Sequence, residues 1–198
     1  AGSGLSYGLI EIMRQIFPTA LKLDLAHRLD RDTSGCILLS KNLSTLRGLH
    51  QLWYENRVQK IYIGLFRGLI PPELNDINAS LRVDKVAEEE KRARVGSGKS
   101  ASTTFIEKSS CGSHTLATLR LNTGKMHQIR AHARHINHPL AGDTKYGDRN
   151  FNRSMRKIGL SRLFLHASHL RICSDHINLD VKASIPEALS NVISKLSD

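Results

Sequence analysis

The chain has little cysteine and no long apolar segment, and each shortage narrows the class of protein. Its three cysteines, Cys36, Cys111 and Cys173, lie far apart and form no closely spaced pair. This spacing argues against a disulfide-stapled secreted domain and against a structural zinc site, so we expect a reduced, cytoplasmic setting. No apolar run approaches the roughly 20 residues that a membrane-spanning helix needs. The first residues, Ala1–Gly4, lack the basic and apolar regions of a secretory signal.

Acidic residues are also scarce relative to basic ones. The 198 residues include 29 Lys and Arg against 18 Asp and Glu, a formal net charge of +11. Residues 120–134 contain four basic residues and no acid, and residues 145–171 contain seven basic residues and one acid. This imbalance favours a polyanionic partner. The alternative is a merely solvated basic face, but the same segments also contain histidines and a tyrosine.

The remaining composition is that of a folded protein, with 40% hydrophobic residues and a length that suits one domain. Apolar periodicity predicts helices over residues 5–17, 42–56 and 126–137, and from about Pro186 onward. It predicts strands over residues 36–40, 58–69, 76–83, 102–108, 114–121, 163–172 and 176–182, with a charged loop over 88–100. We therefore expect one α+β domain, with a mixed, mostly antiparallel sheet flanked by helices.

The most informative segment is His27–Gly35, which reads His-Arg-Leu-Asp-Arg-Asp-Thr-Ser-Gly and precedes an apolar run. It places Asp30 between Arg28 and Arg31, at the mouth of a strand that we predict to be buried. Burying a charge is unfavourable unless the charge is paired. Asp30 is therefore either a member of a structural ion pair or a reactive group held ready by its neighbours.

Three other patterns suggest chemistry, but each lacks part of its motif. Gly98-Lys99-Ser100 resembles the end of a phosphate-binding loop, yet Ala93 stands where the first glycine is required, and the segment that follows is strand-like. A Ser-His-Asp hydrolase would need a Gly-x-Ser-x-Gly elbow, which the sequence does not contain. A metal site is suggested by His127, His132, His135 and His138. No Cys, Asp or Glu in register completes that set, so we expect no metal site.

The segment His27–Gly35 resembles the signature of the RluA-type pseudouridine synthases, and further segments resemble that family in the same order. Lys60-Ile61-Tyr62 resembles the second motif, a strand bearing a tyrosine. Thr123–His132 resembles the family's Thr-Gly-Arg-x-His-Gln-Ile-Arg-x-His segment, with Lys125 in place of the usual arginine. Later landmarks lie at residues 138–140, 146–148 and 162–167. The run at 146–151 is most like the branch that modifies 23S ribosomal RNA of the large subunit, and the transfer RNA branch is the nearest alternative.

The resemblance implies an enzyme that isomerises uridine to pseudouridine in RNA. By that resemblance Asp30 is the essential carboxylate, acting as a nucleophile at the sugar C1′ or as a base at C2′. Arg130 would pair with Asp30 and orient it. Tyr62 would stack on the base and assist proton transfer at C5. A non-catalytic RNA-binding module is the alternative from another class of protein.

The resemblance also implies how RNA is held. The target base would be flipped into the pocket, with Arg28 filling the vacated stack and Leu165 forming an apolar wall. The further expected RNA contacts are Lys125, His127, Gln128 and His132. We expect no metal, nucleotide or redox cofactor, and a monomer. Residues 1–198 would form the catalytic domain, without the family's first strand and without an N-terminal S4-like RNA-binding domain.

Overall fold

A computed structural model of the protein describes residues 8–86 and 91–197. The helices in this part of the chain are α1 (Leu9–Ile16), α2 (Leu43–Tyr54), α3 (Gln128–His135), α4 (Arg149–Lys157) and α5 (Glu187–Ser197). The strands are β1 (Asp24–Leu25), β2 (Ser34–Gly35), β3 (Leu39–Ser40), β4 (Val58–Phe66), β5 (Asp76–Asn78), β6 (Leu81–Lys85), β7 (Lys91–Val95), β8 (Ser102–Cys111), β9 (His114–Leu121), β10 (Leu165–Cys173) and β11 (Asn178–Lys182).

The chain divides into two compact units, one of residues 1–29 and 37–58 and one of residues 30–36 and 59–198. In the first unit β1 and β3 form a short antiparallel pair. Helix α2 begins where the Asn42 side chain accepts the N–H of Thr45 at 2.8 Å, which satisfies a backbone donor that the helix itself leaves unpaired. The buried face of α2 consists of Leu46, Leu49 and Leu52, at helical spacing.

The second unit is built on one large sheet with the strand order β11-β10-β4-β9-β8-β5, and β2 pairs with β10 in parallel. Successive residues of a strand point to opposite faces, and Leu65 and Phe66 of β4 are both fully buried. The core therefore covers both faces of the sheet. Phe66 packs in one cluster with residues of α3, and Leu65 packs in a second cluster with residues of α4 and α5.

The turn that follows Asp30 is fastened to strand β10. The hydroxyl of Ser34 lies 2.9 Å from Nδ1 of the buried His166, and the N–H of Cys36 donates to the carbonyl of Ala167 at 2.8 Å. Gly35 lies between these two contacts with φ of 115°, and a Cβ there would sit 2.1 Å from the Ala167 carbonyl oxygen. Only glycine fits this backbone and this space. The Ser34–Gly35 pair therefore anchors the turn that follows Asp30 to β10.

Much of the predicted secondary structure is confirmed. Strand β9 covers residues 114–121 as predicted, and β10 and β11 form the predicted antiparallel hairpin. The helices predicted over 42–56 and 126–137 are α2 and α3, each slightly shorter. The α+β class with mostly antiparallel pairing is also confirmed. Residues 5–7 of the first predicted helix and residues 88–90 of the predicted loop lie outside the described residues.

Three predictions about strands are wrong. Residues 36–40 are not one buried strand, because the chain leaves the large sheet after β2 and joins the small β1–β3 pair only at Leu39. The strand predicted over 76–83 is interrupted between Asn78 and Leu81, since β5 joins the large sheet and β6 pairs with β7 instead. The third is the loop predicted over 88–100, of which Lys91–Val95 form β7. Its charges mask the strand pattern, but backbone pairing in a two-stranded hairpin tolerates exposed charged side chains.

Helix α4 has no counterpart among the predicted elements. Its nine residues are mostly polar, which weakens the apolar periodicity on which a prediction depends. The helix begins where Asp148 accepts the N–H of Phe151 at 2.8 Å, and it buries Phe151, Asn152 and Met155. None of the helices over residues 8–86 and 91–197 is both long and apolar enough to cross a membrane.

Replacing Gly35 by alanine should lower the free energy of unfolding by at least about 2 kcal/mol, because the backbone becomes strained and the new methyl group meets the Ala167 carbonyl. Urea unfolding followed by circular dichroism measures this loss. Gly96→Ala is the matched control, since a Cβ there would have ordinary contacts, the nearest 3.7 Å away. Equal stability of the two variants would contradict the role of Gly35.

Candidate active site

The centre of the site is a buried ion pair between Arg130 of α3 and Asp143. The guanidinium Nε and Nη2 each donate to one carboxylate oxygen of Asp143 at 2.8 Å. The Arg130 side chain is 5% exposed and the Asp143 side chain is fully buried. A two-point contact of this kind fixes the plane of the guanidinium as well as its position.

The loop around Asp143 is arranged to present this carboxylate. The N–H groups of Lys145 and Tyr146 donate to Asp143 Oδ1 at 2.8 and 2.9 Å. The amide of Asn152 on α4 accepts the N–H of Gly142 and donates to the carbonyl of Asp143. Burial by itself raises the pKa of Asp143, but the hydrogen bonds and charge of Arg130 and the two N–H groups outweigh it, so the pKa is lowered. The pair is therefore charged on both sides.

Arg130 also faces Asp30, the carboxylate of the first motif. Its Nη1 lies 3.6 Å from Asp30 Oδ2, and the Asp30 side chain is 25% exposed. One guanidinium thus bridges a buried carboxylate and an accessible one. Burial lowers the pKa of Arg130, but Asp143 and Asp30 more than offset this effect and raise it. The arrangement supplies a permanent cation that orients an open carboxylate.

His127 and Tyr146 form a second polar contact beside this bridge. The Tyr146 hydroxyl accepts the N–H of Ala93 at 2.8 Å and lies 2.9 Å from Nδ1 of His127. Burial raises the pKa of Tyr146 to about 12. Burial also lowers the pKa of His127, although the negative charge of Asp30 acts in the opposite direction. Both rings are therefore uncharged near neutral pH, and His127 lies within electrostatic range of Asp30.

Tyr62 is brought to the same place by β4. Its backbone is paired with Leu119 of β9, and its ring packs against the core cluster that also contains α3 residues. Burial raises the pKa of Tyr62 strongly, and the negative charge of Asp30 raises it further. The phenol therefore keeps its proton at neutral pH. The structure brings Asp30, Tyr62 and Arg130 together, as the sequence predicts.

The predicted RNA contacts fall into different environments. Gln128 and His132 are buried, and protein groups hold all their polar side-chain atoms. The Gln128 amide bonds to Thr123, Lys125, Ser102 and Thr103, and the His132 ring bonds to Thr103 and Ala79. These contacts are structural.

The remaining predicted contacts differ in how open they are. Lys125 is half-buried on the loop before α3, and Leu165, 3% exposed, lies in the core at the start of β10. Arg28 is exposed and belongs to the first unit. Lys125 and Arg28 are therefore the more open of these side chains.

Asp143 is the site residue that the sequence interpretation missed. It lies between two recognised landmarks, residues 138–140 and 146–148, next to a glycine with φ of 72°. A Gly-Asp pair within a basic region was the available signal. In the described ranges no group of three or more His, Cys, Asp or Glu is placed to hold a metal ion.

The chain is similar to known proteins over most of its length. A family model described as RNA pseudouridylate synthase matches residues 16–135. Ribosomal large subunit pseudouridine synthase C of Haemophilus influenzae is 40% identical over 200 residues, covering 100% of this chain and 62% of that protein. The protein of the same name from Escherichia coli is 39% identical, covering 98% of this chain and 63% of that protein.

A solved structure, Human RNA Pseudouridylate Synthase Domain Containing 1, aligns with a TM-score of 0.74 and 25% identity, covering 89% of this chain and 73% of that one. This chain spans 62% and 63% of the lengths of the two curated relatives, less than two thirds of each. The family model matches more than half of the chain, over residues 16–135, and the chain belongs to the RNA pseudouridylate synthase family.

Proposed function

We propose that the protein isomerises uridines of large-subunit (23S) ribosomal RNA to pseudouridine, with Asp30 as the essential carboxylate. The observation that carries the proposal is the Arg130 bridge, which joins the buried Asp143 to the accessible Asp30. A purely structural ion pair needs only the buried partner. The RNA substrate is supported by the names of the relatives and by the net charge of +11.

The proposed reaction breaks the bond from N1 of the base to C1′ of the ribose and forms a bond from C5 to C1′. The proton on C5 is then lost and N1 gains one, so the reaction consumes no oxidant, reductant or co-substrate. Asp30 acts either as the nucleophile at C1′ or as the base that removes the C2′ proton. In both roles it needs one free oxygen aimed at the sugar, and the guanidinium of Arg130 holds it in that orientation.

Tyr62 serves as the surface on which the target base stacks. Its protonated phenol lies within electrostatic range of Asp30, where it can exchange a proton with the base at C5. A base inside a helix must first leave its stack, which costs a few kcal/mol. The family resemblance assigns the filling of that gap to Arg28, an exposed side chain whose guanidinium plane can stack on bases.

Asp30→Asn should lower pseudouridine formation by about a thousandfold or more while RNA binding is kept, because the variant loses the reacting oxygen but little surface. The measurement is incubation with unmodified large-subunit ribosomal RNA and mapping of pseudouridines as carbodiimide adducts. Asp32→Asn is the matched control, since its side chain is exposed in the same turn. Full activity of Asp30→Asn would contradict the proposal. If even the unaltered protein is inactive on ribosomal RNA, the same assay with transfer RNA tests the substrate.

Tyr62→Phe should keep RNA affinity but lower turnover by about a hundredfold, since the stacking ring remains and the phenolic proton is lost. Single-turnover rates and the Kd measured with the same RNA separate the two effects. Tyr54→Phe serves as the control because Tyr54 is 84% exposed. Unchanged turnover in Tyr62→Phe would restrict Tyr62 to stacking.

Asp143→Asn should lower the free energy of unfolding by about 3–5 kcal/mol, because it breaks a buried ion pair and leaves Arg130 without its charged partner. Asp84→Asn removes the acid of an exposed ion-pair group and should cost less than about 1 kcal/mol. Urea unfolding measures both variants. A similar small loss in the two variants would contradict the central role of the Arg130–Asp143 pair.

The pH dependence of stability gives a second measurement on the same variant. The folded-state pKa of Asp143 lies below its ordinary value of 3.8, so its stabilisation is complete above that pH and is lost as the pH falls through the folded-state pKa. The unaltered protein should therefore lose stability below about pH 4 more steeply than Asp143→Asn. Parallel curves for the two proteins would show that Asp143 does not contribute.

A further inference from the structure

Lys60 is a buried cation that the proposed mechanism does not use. It lies on β4 two residues before Tyr62 and is 8% exposed. Its ammonium makes no ion pair or hydrogen bond with any residue of the described ranges. Long charged side chains are rarely buried unless they are paired, because taking a charge out of water is unfavourable. A buried cation of this kind requires a reason.

The surroundings of Lys60 make its position still less favourable. Burial lowers the pKa of Lys60, and the positive charge of Lys125 lowers it further. Two cations are therefore held near each other, and no carboxylate of residues 8–86 or 91–197 changes the pKa of Lys60. An anion placed between the two ammonium groups would remove the repulsion and compensate for the lost hydration.

The loop beside Lys60 is held by side-chain hydrogen bonds and leaves space next to the ammonium. The side-chain oxygen of Gln128 accepts the hydroxyl of Thr123 at 2.7 Å and the N–H of Lys125 at 3.0 Å. Gly124 lies between these two fixed residues, and a Cβ at Gly124 would sit 3.6 Å from Lys60 Nζ. A side chain at position 124 would therefore begin in contact with the ammonium, and glycine leaves the space beside Nζ open.

The position of Lys60 indicates which part of an RNA would enter. Alternate residues of a strand share a face about 7 Å apart, so Lys60 and Tyr62 face the same side of the sheet. Tyr62 is where the target base is proposed to stack. The group of an RNA that is anionic and lies within a few ångströms of every base is the backbone phosphate.

We propose that Lys60 and Lys125 together bind a backbone phosphate next to the target uridine. The inference rests on the proposed function for the identity of the anion, whereas the unpaired ammonium is independent of it. The buried Lys60 supplies a poorly hydrated charge at a fixed point, and Lys125 closes the site from the half-buried loop. The bound phosphate would then fix the register of the RNA strand on the protein, so that one base reaches Tyr62.

The first experiment measures the salt dependence of binding in the Asp30→Asn background, with a labelled single-stranded fragment of large-subunit ribosomal RNA as the probe. Lys60→Met removes one of the two cations that bind the phosphate, so the slope of log affinity against log salt should fall by up to about 0.7. Lys182→Met is the matched control, an exposed lysine on β11, and should leave the slope unchanged. An unchanged slope in Lys60→Met would overturn the proposal.

The second experiment replaces single phosphates of the probe by uncharged methylphosphonates on either side of the target uridine. One replacement should weaken binding by the protein that keeps Lys60 about tenfold and weaken binding by Lys60→Met clearly less, since only Lys125 still contacts that phosphate in the variant. The same loss in both proteins would overturn the proposal. So would full affinity of the Lys60 protein for every substituted probe, a result that needs no variant.

Two controls separate folding and catalysis from this result. Lys60→Met removes an unpaired charge from the interior and should not lower the melting temperature; if that variant does not fold, Lys60→Gln replaces it. Pseudouridine formation by the unaltered protein is assayed on the same RNA. Phosphate dependence without pseudouridine would leave the anion site standing and reject the proposed function. Pseudouridine formation with equal phosphate dependence in both proteins would do the reverse.

Discussion

The site depends on the bidentate contact between Arg130 and Asp143. Both groups are almost completely removed from water, so neither charge is tolerable without the other. The backbone N–H groups of Lys145 and Tyr146 satisfy the remaining demand of the carboxylate, and Asn152 holds the loop that carries it. Because this pair fixes the guanidinium, its remaining nitrogen, Nη1, faces Asp30.

One segment of the sequence supplies both buried structural contacts and residues of the proposed site. In the segment Thr123–His132, Gln128 and His132 are buried, and their polar side-chain atoms form hydrogen bonds with other protein groups. Arg130, between them, reaches the accessible carboxylate, and the loop before the helix presents Lys125. The segment His27–Gly35 likewise combines structural contacts with a residue of the proposed site. Ser34 and Gly35 bind strand β10, and Asp30 is left available.

The sequence predicted the elements whose side chains alternate strongly. Strand β9 buries Thr115, Ala117 and Leu119 at every second position, and its limits were predicted correctly. The sequence-based predictions failed where the pairing partner of a segment decides its structure. The apolar run at 36–40 looks like one strand, yet its two ends pair in different sheets. The polar helix α4 and the charged strand β7 carry too little apolar pattern to be found locally, and tertiary contacts stabilise them instead.

The sequence by itself determined the class of fold, the basic character of the protein and the candidate residues Asp30, Tyr62 and Arg130. These follow from local patterns and from motif resemblance. Only the tertiary structure revealed Asp143 as the partner of Arg130, and the unpaired ammonium of Lys60. The physical reason is that burial and pairing are properties of three-dimensional neighbours. A lysine or an aspartate has the same formal charge anywhere in a sequence, and its surroundings decide whether that charge is neutralised, exposed or left to bind a ligand.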